Sequence, residues 1–208
     1  MPDIGSDRAA LARLKPANAA VTQERPDGGR CVRLLTNSGD RRRPVEEQQI
    51  LAAWHQVFLT PFDTSPEFVG DGVGTLIAEA SEPEHLIVRT GCATGPVRVS
   101  LVARTTSPQA GLESVGEEPG PWEAREEVSL PITRPLFWSS PDPGPDLPRE
   151  PAFIPQVPGP HRVRVSSRGR NRAFDEAILE PVEDYLVQVW PELAMRGPEV
   201  LRSDQAPF

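Results

Sequence analysis

The chain has 208 residues, a formal charge of −8, 38% hydrophobic residues, 25 prolines and 16 glycines. That length holds one ordinary domain with extensions, and the low apolar share with abundant Pro and Gly leaves much of it to loops. No apolar window is long enough for a membrane span, and the start, Met-Pro-Asp-Ile-Gly-Ser-Asp, lacks the basic-then-apolar pattern of a secretory signal, so no membrane partner is expected.

Two cysteines, Cys31 and Cys92, are too few for a disulfide scaffold, so the expected location is a reducing cytoplasm with free thiols. Charge is unevenly shared. Residues 1–48 carry 9 basic and 7 acidic side chains, and residues 49–208 carry 13 and 23. A folded part at −10 lacks the basic footprint of a nucleic-acid binder, so no strong nucleic-acid binding is expected. It suits solubility and also a basic protein partner.

Residues 1–48 read as a flexible or disordered tail: Pro16 ends the one short helical signal, residues 25–30 are turn chemistry, and Arg41, Arg42 and Arg43 form a short basic run. The domain is expected over 49–191. Its first strand is Leu51 to Leu59, followed by strands at Gly72–Glu79, Glu84–Thr90 and Val97–Arg104. In the last of these, Val97, Val99, Leu101 and Ala103 alternate with Arg98, Ser100, Val102 and Arg104. A loop at 105–121 leads to Trp122–Ile132 and a short strand at Leu136–Ser139. Residues 140–160 hold eight prolines and read as a polyproline-type insert, unable to form a central strand. His161–Arg170 and Tyr185–Trp190, the latter bracketed by Pro181 and Pro191, are expected to lie side by side as the last antiparallel pair. Residues 192–208 read as a C-terminal tail. Short strands with closely spaced turns and no long helical pattern point to an all-β, antiparallel β-sandwich, its core drawing on Trp54, Trp122, Trp138 and Trp190.

His55, His85 and His161 lie far apart without partners at metal-ligand spacing, and no nucleophile elbow, phosphate loop or HExxH motif occurs. No catalytic residue, cofactor or metal is expected, and the protein is not read as an enzyme. Two clusters are candidate partner contacts. Arg162, Arg164, Arg168 and Arg170 share strand parity and would form a basic stripe, suited to an anion or an acidic peptide, or to pairing across strands with acids such as Glu123 and Glu127. Glu180, Glu183 and Asp184 form an acidic cluster ahead of the last strand, suited to a cationic partner or to neutralising Arg168 or Arg170.

In the order of its core strands the chain resembles the competence protein J (ComJ) family, small inhibitors of a competence-associated DNA-entry nuclease. The likeness runs over about residues 50–191: Trp54-His55-Gln56, Asp63 to Pro66, Asp71-Gly72, an alternation ending at Pro131, and Asp184, Tyr185, Val187 and Trp190 in the last strand. The resemblance implies a β-sandwich and a role in binding and silencing a nuclease or toxin-like partner, and carries over no inhibitory residue. The alternative expectation is a sandwich that binds a small ligand or peptide without catalysis.

Overall fold

A computed structural model describes residues 20–24, 30–34, 46–62, 64, 66–70, 72, 74–108, 121–142 and 150–204. The chain divides into two units, Met1–Arg41 and Arg42–Phe208. In the first, β1 (Ala20–Glu24) pairs antiparallel with β2 (Arg30–Leu34). The rest of the expected tail up to residue 45, with the basic run at 41–43, lies outside the described residues.

The second unit carries β3 (Glu46–Ala53), β4 (Gln56–Pro61), β5 (Phe68–Gly70), β6 (Ile77–Ala80), β7 (Leu86–Arg89), β8 (Thr94–Ala103), β9 (Ala124–Ile132), β10 (Leu136–Ser139), β11 (Gly159–Arg168), β12 (Asp184–Pro191) and β13 (Glu199–Arg202). No helix occurs among the described residues. The class is all-β. The strands join in one sheet, in the order β13-β9-β11-β12-β8-β3-β4-β7-β6-β5, with β10 also on β4. The sheet is mixed, because β12 lies between β11 and β8 and runs parallel to β8. It curls into a half-barrel, where an antiparallel two-sheet sandwich was expected.

Alternation explains the curl. Val97 and Val99 of β8, Leu130 and Ile132 of β9, Val163 and Val165 of β11, and Tyr185, Val187 and Val189 of β12 enter one core. Ile50, Leu59, Leu76 and Val88 from the other strands meet them there, so one sheet wraps its own apolar face. Where the two ends approach, the Glu126 carboxylate of β9 accepts from the backbone N–H of Leu76 and Ile77, both at 2.9 Å, just ahead of and at the start of β6. The side chain does there what a neighbouring strand does elsewhere. Gly74 leaves room for it, since a Cβ would sit 2.1 Å from a Glu126 oxygen.

The expected strand at Leu51–Leu59 is two strands of a hairpin, turning at Trp54 and His55. Trp54 therefore leaves the core and stands 76% exposed, whereas Trp138 and Trp190 are buried as expected and Trp122 is partly covered. The last pair is antiparallel in register from His161↔Pro191 to Arg168↔Asp184. Residues 109–120 of the expected loop and 143–149 of the proline insert lie outside the described residues. Within the rest of that insert Phe153 is anchored: it bridges Leu136 through the backbone and its ring enters the core beside His161. The expected C-terminal tail supplies β13, which adds to the edge of β9.

Candidate functional site

The two clusters singled out in the sequence are knitted into the fold. Arg162 and Arg164 are buried and share Glu127, whose carboxylate accepts from Arg162 Nε at 2.9 Å and Arg164 Nε at 2.7 Å. Arg162 also donates to the Gly197 carbonyl at 2.8 Å, tying the C-terminal segment to β11. Arg168 donates to Asp184 at 2.7 Å, and Arg98 donates to the other oxygen of the same carboxylate. Burial pushes the Asp184 carboxyl up, but the hydrogen bonds and charges of Arg98 and Arg168 outweigh it and hold the group below its ordinary value. Arg168 also lies over the ring of Trp122. Glu180 is exposed.

Glu183 is fully buried. It accepts from the amides of Gly91 (2.9 Å) and Cys92 (2.6 Å) and from the Tyr185 hydroxyl, fastening the loop after β7 to the approach to β12. Burial, with Glu183 beside them, pushes the Cys92 thiol up to about 12 and the Tyr185 hydroxyl well above its ordinary value. The Cys92 sulfur is a protonated thiol, unsuited to nucleophilic work.

A different place concentrates strain. The described residues include three non-glycine positions with positive φ: Trp54 (54°), His55 (61°) and Asp175 (61°). Trp54 and His55 form the whole two-residue turn between β3 and β4, a geometry that favours Asn and Gly. His55 Nε2 lies 3.0 Å from Asp175 Oδ1 and Nδ1 lies 3.3 Å from the Thr90 carbonyl, while the ring tilts against Phe174 at 5.8 Å. Backbone bonds from His55 to Ala93, Thr90 to His55 and Asp175 to Gly91 fasten the turn to both neighbouring loops. The result holds an indole outward at a fixed point. Such outliers persist where the surroundings over-determine them, and they gather at functional positions. Inward positions are even before the turn (Ile50, Ala52) and odd after it (Val57, Leu59), the change of parity that a two-residue loop brings; the sequence hides it, because Leu51 is apolar yet points outward.

A second feature is an open depression of about 380 Å³ lined by Thr64, Glu82, Pro83, Glu84, His85 and Arg134. Arg134 donates through Nε (3.2 Å) and Nη2 (3.0 Å) to one oxygen of Glu84, whose other oxygen accepts from the backbone and hydroxyl of Thr133. No group of metal-ligating side chains occurs among the described residues.

No family model and no curated protein matches the chain. Among solved structures, that of crocagin biosynthetic gene J is similar over 73% of this chain and 98% of its own, with a TM-score of 0.45 and 18% identity. Residues 46–204 form an all-β unit built on one curled mixed sheet, with an aromatic-tipped, strained turn.

Proposed function

We propose that the chain is a protein-binding module of the cytoplasm, without catalysis, and that Trp54 anchors its contact. The finer proposal is that the partner is a basic nuclease or toxin-like enzyme which the module silences. The carrying observation is the indole, 76% exposed on a backbone that disfavours any large side chain and braced by the His55–Asp175 contact. Tryptophan is enriched among interface hot spots, because it brings large contact area at little entropic loss. The ComJ-like order of the core strands and the acidic balance of residues 49–208 support the choice of partner, since an acidic surface covers a basic nucleic-acid cleft and speeds association.

The test is capture from the native host with the wild-type chain and with Trp54→Ala, at low and at physiological salt. The captured protein is then assayed for nuclease activity with and without added chain. We expect a basic protein held by the wild type and lost from the variant, with its activity suppressed by the chain. Absence of any complex at low salt removes the binding proposal. Equal capture by the variant removes Trp54 as anchor, and a partner without nuclease or toxin activity removes the finer proposal alone.

A further inference from the structure

The C-terminal segment is held to the sheet unevenly along its length. Up to Gly197 it is pinned: the Arg196 amide donates to Ser129 Oγ at 3.0 Å, and the Gly197 carbonyl accepts from Arg162 at 2.8 Å. Gly197 and Pro198 then form an exposed joint, and a Cβ on Gly197 would meet nothing within 4 Å. Beyond the joint, β13 ends the strand order, paired with β9 alone among the described residues, and all four of its residues are exposed. That pairing is irregular. Its register shifts between Val200 and Arg202, and Arg202 stands opposite Arg125. Like charges facing each other across a strand pair weaken it. Glu199 also faces an acid, Glu127, although Arg162 lies 3.6 Å from the Glu199 carboxylate.

The firm hold comes two residues past the strand. The side chains of Asp204 and Arg170 are 2% and 0% exposed. Arg170 Nη1 donates to Asp204 Oδ2 at 2.9 Å, Thr75 Oγ1 donates to Asp204 Oδ1 at 3.2 Å, and Arg170 Nη2 donates to the Thr75 carbonyl at 2.7 Å. An enclosed guanidinium and a hydroxyl thus hold one carboxylate by both of its oxygens, a strong and directional arrangement. The socket and the edge of β9 belong to the body of the sheet. The segment that fills them hangs from an exposed joint and is ill matched to Arg125, so it is a resident of the groove and not its wall.

We propose that residues 199–204 are an autoinhibitory occupant of a strand-receiving site, and that the site's ligand is an extended acidic segment of a partner protein. The incoming segment adds to β9 in place of β13, held by main-chain hydrogen bonds. It places an acid opposite Arg125, where the resident has Arg202, and a second carboxylate two residues on, in the Arg170–Thr75 socket. The resident has the advantage of attachment, with an effective concentration on the order of 1 mM. The groove is therefore shut to weak ligands and yields to a segment of better charge match. This surface stands apart from the Trp54 contact, and either can fail alone.

The probes are fluorescent peptides of residues 198–204, amidated at the C-terminus so that Asp204 supplies the carboxylate. One has the native sequence, one carries Arg202→Glu, and one carries Arg202→Glu with Asp204→Ala. Each is titrated by anisotropy into the full-length chain, wild type and Asp204→Ala. We expect the Arg202→Glu peptide to bind the Asp204→Ala chain with a dissociation constant of about 100 μM, and the wild type roughly tenfold more weakly because the resident competes. The native-sequence peptide should bind roughly fivefold more weakly than the Arg202→Glu peptide, and the peptide without the Asp204 carboxylate at least about tenfold more weakly. If Asp204→Ala fails to fold, NMR of the wild type keeps the test open: the amide signals of 199–204 should shift as the Arg202→Glu peptide saturates it. No saturable binding to either chain up to about 2 mM overturns the site. Equal binding by the peptide lacking the Asp204 carboxylate overturns the socket. Equal binding by the native-sequence peptide, with a wild-type dimer in light scattering, overturns the acidic partner in favour of a second copy of this chain.

Discussion

Trp54 and His55 occupy a backbone that Asn or Gly would adopt without strain, and the fold holds a bulky aromatic there all the same. A left-handed non-glycine residue costs roughly 1 kcal/mol or more, and asparagine is among the side chains that tolerate it best. Trp54→Asn should therefore raise stability by about 0.5–1 kcal/mol, because the exposed indole contributes little packing. The same change should abolish partner capture. Chemical denaturation alongside the capture assay checks both; a fall in stability would mean the indole supports the fold, and the anchor reading would lose its main argument.

Among the elements, the pairing of β9 with β11 depends on charge as much as on apolar packing. Glu127 lies between the two buried guanidiniums of Arg162 and Arg164. Removing Glu127 takes from both enclosed guanidiniums the carboxylate they share, leaving Arg162 the longer contact to Glu199 at 3.6 Å, and a buried group broken in this way costs about 3 kcal/mol or more. Glu127→Gln should lower the urea midpoint accordingly, whereas Glu84→Gln, opposite the largely exposed Arg134, should cost under about 1 kcal/mol. The parity of Arg162, Arg164 and Arg168 was readable in the sequence, and so were the pairing with Glu127 and the link from Asp184 to Arg168. Burial of the stripe was not readable, because alternation tells which side chains share a face and not what covers that face. The hairpin at 54–55 was missed because neither residue is turn chemistry. β13 was missed because a four-residue, fully exposed edge strand leaves almost no pattern. The insertion of β12 beside β8, which makes the sheet mixed, is a long-range choice that local periodicity does not encode.

For the molecule as a whole, acid should act in two stages. His85 has a folded-state pKa below its ordinary value of 6.5, so the unfolded chain binds the proton first and stability falls as pH drops from about 6.5 toward the folded value. Glu84 and Asp184 are held below their ordinary values of 4.5 and 3.8, Glu84 by Thr133 and Arg134 against its burial, Asp184 by its two arginines. Their contribution is complete above those values and is lost as pH falls beneath them. Thermal midpoints measured from pH 8 to pH 3 should show both declines in the wild type, and only the lower one in His85→Gln. The Glu126 fastening has a further consequence. With one carboxylate in place of a ladder, that meridian is where the wall parts with least effort, so the amides of Leu76 and Ile77 should exchange with deuterium together and ahead of those in β11 and β12.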